Sequence, residues 1–414
     1  MKILILHRVP YARIDYARGI DHTRHDVTYF GTKPIVDTLP SDLRHEAVVR
    51  PGERSAYDEA RAWLEAQPRR FDRIISLSEY ELLDAARLRE WLGVDGPAVD
   101  AVQLVRDKIK MKRAVEARGL RVPHYLRLQA FLDAPGAARW DGPTVLKPHS
   151  GASSEDVVVF PSVADTLRAV AARTSGAARL DRGELGPDAY EVEEFVAGDV
   201  LHFDGLIVDG RLATVTASRY VGTCLGFAQG RPLGSHHVPL THELRGWTGR
   251  ALDAVGIRNG SFHLEAIETP DGLVFLEVGN RVGGADVVAT FELATGVHLP
   301  SEELRILTGE APSHALPDTQ TRPAWHGWFV FPGHASGHAD YRGIAGIDAF
   351  RRDPAVVRWA ELTPGAPLQQ RITYSAHEAP LTGIVACRDA AATASWLRAL
   401  FDAARPVPDA ARAA

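Results

Sequence analysis

The sequence predicts a mixed architecture, α/β in its first part and α+β beyond, spread over more than one domain. Three observations carry this expectation. A length of 414 residues supports two or three sizeable cores. Apolar and charged contents of 45% and 24% are those of an ordinary soluble globular chain. Short apolar runs alternate with helical patterns over residues 1–95, whereas later runs lie close together around turn dipeptides such as Asp209-Gly210.

The elements follow in order. Residues 3–6 and 73–77 are apolar runs of the length of buried parallel strands, and 79–92 is an amphipathic helix with Leu82, Leu83, Ala86 and Leu92 inward and Gly93 as its stop. Gly96-Pro97 marks a boundary, closing a first α/β domain at residue 98. Asp107 is a good N-cap for a helix to Arg118, with Gly119 ending it. A strand at 144–147 runs into the small, polar turn 148–154 and returns at 157–160. Residues 162–182 read as helix and then loop, 190–196 as a strand, and 202–208 with 211–217 as a hairpin. Residues 221–240, rich in glycine and polar groups, predict a mobile loop near a site rather than core. A helix is expected at 244–255. Further strands follow at 356–361, 370–374 and 381–387, then a helix at 389–404 and a frayed end.

Composition also excludes. A net charge of −6 without any basic tract argues against nucleic-acid or membrane-surface binding. Two cysteines, Cys224 and Cys387, are too few for a disulfide scaffold or a cysteine zinc site. The apolar run at the N-terminus is too short for a signal peptide, and no stretch approaches a membrane span, so a cytoplasmic location is expected.

The most informative segment is 262–281. Pro270-Asp271-Gly272 suits a three-residue loop, and closing Thr269 against Leu273 sets Glu265 opposite Glu277. Opposed Cβ atoms lie roughly 5 Å apart, where two bare carboxylates repel; a divalent cation such as magnesium between them removes the conflict. A one-residue slip would instead put the two on opposite faces, as in an ordinary hairpin with exposed glutamates. Lys147 ends an apolar strand and opens a turn of small residues whose N–H groups can approach phosphate. Lys108 sits in the first turn of its helix, unfavourable against the helix dipole unless an anion is near. Each lysine also reads as ordinary: a strand end, and one surface cation among Lys110 and Lys112.

In order, Asp107-Lys108, Val145-Leu146-Lys147-Pro148, Glu191-Val192-Glu193-Glu194-Phe195-Val196-Ala197-Gly198, His263-Leu264-Glu265 and Leu276-Glu277-Val278-Gly279-Asn280-Arg281-Val282-Gly283-Gly284 resemble the ATP-grasp superfamily. Within it the chain resembles the carboxylate–amine ligases that join amino acids, the L-amino-acid ligases or dipeptide synthetases, over roughly residues 75–310. The resemblance implies an ATP-grasp fold preceded by a small Rossmann-like α/β domain (1–98), with a small subdomain (99–185), a large one (186–312), a C-terminal α+β extension (313–405) and a tail (406–414).

It also implies roles. Lys108 and Lys147, with the loop residues Ser150, Gly151, Ser153 and Ser154, would hold ATP phosphates. Glu193, Glu194, Phe195 and Val196 would read adenine. Glu265 and Glu277 would hold Mg2+, with Mn2+ as a substitute, and Arg281 would orient the substrate carboxylate or the phosphoryl group. Arg219, His202, His236, His237, His263, Gly283 and Gly284 are candidates for the substrate pocket. One departure stands out: Gly279 occupies the position where the superfamily often has a third metal ligand, and strand alternation points Asn280 away from Glu277.

The implied reaction forms an acyl phosphate and ADP, then an amide by attack of an amine, on small-molecule substrates, with a homodimer as the assembly to consider. Alternatives are another acceptor, such as bicarbonate or a carrier-bound amine, or an ATP-binding module without turnover.

Overall fold

A computed structural model describes residues 1–313, 316–317 and 324–407; of the expected tail, 408–414 lie outside them. Three sheets of four or more strands organise the described residues. The first contains β1 (Lys2–Leu6), β2 (Asp26–Thr32), β3 (Glu46–Arg50) and β4 (Arg73–Ile75), all parallel, in the order β3-β2-β1-β4. The apolar run Ile3–Leu6 is fully buried because a parallel sheet is covered on both faces. The following helix, Leu82–Leu92, ends at Gly93 with φ +67°, a left-handed conformation that suits glycine. It begins three residues later than the sequence predicts. Glu79 and Glu81 stay in the preceding turn, where Glu81 accepts from Arg50 at 3.0 Å and Glu79 pairs with arginines from further along the chain.

The second sheet is antiparallel: β5 (Tyr125–Arg127), β6 (Thr144–Pro148), β7 (Val158–Phe160) and β8 (Tyr190–Glu194), ordered β5-β8-β6-β7. The helix Lys108–Glu116 lies beside it. The Asp107 carboxylate caps that helix by accepting from the backbone N–H groups of Ile109 and Lys110 at 2.9 and 3.1 Å.

The third sheet has eight strands. It runs β13 (Gly272–Gly279), β12 (Gly260–Thr269), β9 (Asp199–Val208), β10 (Arg211–Val221), β11 (Leu233–Val238), β14 (Trp325–Phe331), then Leu381–Cys387 and Val356–Glu361. One face buries Leu201, Phe203, Phe262 and Leu264 against Trp247 and Leu252 of the helix His242–Ala254. The other carries the polar residues described below.

Two expectations need correction. Residues 221–240 are not a loop throughout: β11 is an inner strand, and only the short helix Cys224–Ala228 and its flanks stand outside the sheet. Ser235, His236 and His237 conceal the apolar period of that strand because their polarity is met internally, as where His237 Nε2 reaches the Thr290 carbonyl at 3.2 Å. The segment 370–374 is irregular rather than a strand; Thr373 and Arg371 turn back onto Glu378. The strands after residue 313 continue the large sheet. No helix among the described residues is long and apolar enough to cross a membrane.

Candidate active site

The hairpin β12–β13 pairs Glu265 with Glu277, as the sequence predicts, but by another route. Thr269 pairs with Gly272, which leaves a two-residue turn of Pro270 and Asp271. That register alone would oppose Glu265 to Leu276. A bulge between Glu265 and Ala266 on one strand and Glu277 and Phe275 on the other absorbs Leu276 and restores the carboxylate pair. The tighter turn and the bulge cancel.

Glu277 accepts from Lys108 Nζ at 2.8 Å. Burial alone would raise its pKa, yet Lys108, Lys147 and Arg281 overcome this and hold it near 2, so it is ionised at neutral pH. Lys108 Nζ also donates to the Gly151 carbonyl at 3.0 Å, tying the helix to the turn after β6. In that turn Ser153, Ser154 and Asp156 all adopt φ between +55° and +60°, unusual for residues with a Cβ. Asp156 anchors its base through Arg179 at 2.6 Å and Tyr190 at 3.0 Å. Ser150 and Gly151 belong to the same turn, Ser150 exposed and Gly151 half-buried against the Pro148 ring.

Lys147 points into the small sheet. Its ammonium lies 2.5 Å from Glu193 and 3.8 Å from Glu191. Lys112 is a correction to the sequence reading. Rather than a surface cation it is completely buried, paired with Glu191 at 2.8 Å and with Glu193, and set 4.9 Å over the Tyr125 ring. Burial opposes ionisation of Glu193, but the two lysines prevail and lower its pKa. The signal was available: Lys108 and Lys112 are four apart and share a helix face. Glu194 accepts from the His124 N–H at 3.1 Å, while Phe195 is 46% exposed at the junction of the two sheets, beside Val196.

Register fixes the neighbours of the carboxylates. Glu265 pairs with His202, His202 with Ser218, and Ser218 with His237, so one polar row crosses five strands. Asp204, which the sequence reading passed over, is the hub. It takes His202 Nδ1 at 2.5 Å and His263 Nδ1 at 2.7 Å, and His263 Nε2 lies 3.3 Å from Glu265. These three form a group that could hold a metal ion, and all are buried. Burial disfavours a charged His263, but Asp204 and Glu265 raise its pKa to about 9. Asp204 is itself held far below the usual carboxylate range by the two histidines, against the effect of burial. Tyr220 donates to Glu265 at 2.8 Å. A Cβ on Gly283 would stand 2.9 Å from both Asp204 and His263, so only glycine lets its loop lie on this pair, whereas Gly284 is open to solvent.

Arg219 and His236 are not part of this group. They pair with each other in the register and project from the opposite face, where Arg219 binds Asp199 and Glu268, each at 2.5 Å. Arg281 is near the carboxylates, but its Nε donates to Glu79, in the turn after β4, at 2.6 Å, and Glu79 also pairs with Arg106. Neither Glu79 nor Arg106 was a candidate. Asn280 points away from Glu277, donating to the Ser261 carbonyl at 2.7 Å. Cys224 is not an activated thiol, since burial and Glu265 push its pKa well above the ordinary value.

A four-stranded and an eight-stranded sheet facing across this lysine and glutamate set define the ATP-grasp fold, which the chain has. Within that fold it is similar to L-amino-acid ligases. It is 27% identical over 244 residues to the L-arginine-specific L-amino acid ligase of Bacillus subtilis, a match spanning 57% of each chain. The L-amino acid ligase of Bacillus licheniformis superposes with a TM-score of 0.70 at 19% identity, covering 99% of this chain and 98% of that one. The MgADP complex of the biotin carboxylase domain of Hydrogenobacter thermophilus 2-oxoglutarate carboxylase superposes with a TM-score of 0.65 at 15% identity, covering 98% and 90%. No protein-family model matches.

Proposed function

We propose that the chain is an ATP-dependent carboxylate–amine ligase that joins small molecules, amino acids among them, through an acyl phosphate, releasing ADP and phosphate. The observation that carries this reading is the Glu265–Glu277 pair with Lys108 at 2.8 Å from one of its members. The donor set fits magnesium: two hard carboxylates face each other, Glu277 is held ionised, and both contacts to Glu265 fall on Oε1. Bound by Glu265 and Glu277, magnesium, or manganese in its place, would supply charge neutralisation to the triphosphate.

The remaining roles belong to side chains of this chain. Attack of a carboxylate on the γ-phosphate needs cations more than covalent help, and Lys108 and Lys147 are the nearest ammonium groups. Lys108 enters that role by exchanging Glu277 for a phosphate oxygen, while Gly151 keeps it at the phosphate turn. Arg281 offers a planar guanidinium suited to a carboxylate or a phosphoryl group, steered by Glu79. Phe195 and Val196, between the two sheets, would flank adenine.

The reading is supported by similarity to named L-amino acid ligases, one by sequence and one by fold. The test is incubation with ATP, Mg2+ and pooled amino acids, reading nucleotides and condensed products by mass spectrometry. ADP with a new amide mass is expected. AMP would overturn the acyl-phosphate route, and absence of any turnover would overturn the assignment of amino acids as substrates.

A further inference from the structure

Four polar side chains form a square on one face of β9 and β12. His202 and Asp204 are two residues apart on β9, and His263 and Glu265 two apart on β12, so each pair shares a face. The register sets Asp204 opposite His263 and His202 opposite Glu265. Phe203 and Leu264, between them, fill the apolar core on the other side. All four polar residues are buried. Asp204 receives both rings, His202 Nδ1 at 2.5 Å and His263 Nδ1 at 2.7 Å. The remaining nitrogens are engaged too, His202 Nε2 with Ser235 Oγ at 2.6 Å and His263 Nε2 with Glu265 Oε1 at 3.3 Å. These are hydrogen-bond separations, and they link Ser235 to Glu265 through one unbroken chain of contacts.

Glu265 is where this chain of contacts ends. It lies at the bulge of the β12–β13 ladder, where a strand bends and register alone does not aim a side chain. The Tyr220 hydroxyl donates to the same Oε1 at 2.8 Å. That ring is itself held, with its centroid 4.6 Å from His202 and 6.2 Å from Trp328. Oε1 of Glu265 therefore has two partners, whereas Oε2 has none among the described residues. The loop at Gly283 covers the Asp204–His263 contact.

This inference rests on the ligase reading, in which Glu265 and Glu277 hold the divalent cation. We propose that Asp204 and Tyr220 are positioning residues for that cation: Asp204 through His263, and Tyr220 directly, pin Oε1 of Glu265 and leave Oε2 for the metal. Holding the carboxylate in one rotamer removes an ordering cost that metal binding would otherwise bear. Groups behind a ligand that fix its orientation change metal affinity by about 10- to 100-fold. Affinity for the cation is what these two residues set, from β9 and β10, outside the hairpin that carries the ligands.

The experiment titrates the full chain with Mn2+ in the presence of ADP and reads free Mn2+ from its electron paramagnetic resonance signal, against ADP alone, with no turnover involved. The Mg2+ concentration giving half-maximal ADP formation is measured in parallel, with ATP and an equimolar pool of the standard amino acids. Asp204→Asn keeps the side-chain volume but replaces one acceptor oxygen by an NH2 that cannot accept from an imidazole. Its Mn2+ binding is expected to weaken by about 10- to 100-fold. Tyr220→Phe keeps the ring and the fold, so it stays informative if Asp204→Asn destabilises the protein. Loss of its one hydrogen bond is expected to weaken Mn2+ binding by roughly two- to tenfold. In both variants the Mg2+ requirement rises in step, and excess Mg2+ recovers the rate. Mn2+ binding indistinguishable from wild type in Tyr220→Phe, or in a folded Asp204→Asn, with only the melting temperature lowered, means a merely structural network. That result overturns the proposal and leaves the ligase reading in place. A wild type that retains no more Mn2+ than ADP alone overturns the Glu265–Glu277 metal assignment itself, and this inference with it.

Discussion

Nε of Arg281 lies 2.6 Å from a carboxylate oxygen of Glu79, a residue 202 positions earlier in the turn that follows β4. Arg106 closes on the same carboxylate, so one glutamate holds two guanidiniums at the rim of the candidate site. Replacing Glu79 by alanine leaves both cations without their partner. Fully buried pairs broken this way cost about 3–5 kcal/mol; the 13–22% exposure of these groups reduces that to about 1–3 kcal/mol. We expect a lower melting temperature and slower ADP release in Glu79→Ala. Both quantities unchanged would mean that the triad neither supports the fold nor orients Arg281.

Glu277→Ala removes one of the paired carboxylates and the 2.8 Å partner of Lys108. Preorganised charge of this kind is worth about 100-fold or more in rate. The expected outcome is nucleotide turnover reduced by at least that factor, with circular dichroism and melting unchanged within a few degrees. Full activity in the variant would remove Glu277 from the metal assignment and leave the hairpin an ordinary one.

Lys112→Met probes the buried network of the small sheet. Lys112 is unexposed and separates Glu191 from Glu193; its loss leaves two buried carboxylates to Lys147 alone. Breaking a buried pair by deleting one partner costs about 3–5 kcal/mol. Urea denaturation should show a midpoint shift of that size with the slope unchanged. A shift under ~1 kcal/mol would place Lys112 outside the elements holding this sheet together.

These cases show where the sequence was legible. Local signals carried the caps and the hairpin: Asp107 caps its helix, Gly93 ends another, and Glu265 meets Glu277. The last came out correctly because two departures of one residue cancelled, and neither the two-residue turn nor the bulge at Leu276 has a sequence signature strong enough to foresee. Contacts between distant segments were not legible. Glu79 with Arg281, Tyr374 with Phe227 and Asp204 with His263 depend on how the sheets are placed, which periodicity does not encode. Polar residues on a covered face misled in the same way. Ser235 and His237 looked like loop because their partners, His202 and Thr290, come from elsewhere in the chain.

Glu303 gives a prediction in pH. It is 4% exposed on the helix Leu299–Leu307, one of its oxygens has no hydrogen-bond partner among the described residues, and burial pushes its pKa from 4.5 up to about 7 while Ser261 pulls the other way. Between these values the folded protein keeps a proton that the unfolded chain has released. Stability from this group is therefore unaffected below pH 4.5 and declines as pH rises toward 7. Above that it levels off, with a total loss of about 3 kcal/mol. Glu303→Gln cannot ionise, so the variant should gain on wild type across that window and stay ahead at pH 8. Denaturant midpoints of both proteins from pH 4 to pH 8 measure the difference. Curves that run parallel over the whole range would show that Glu303 titrates as an ordinary carboxylate, and that water or a shift of the helix reaches its second oxygen.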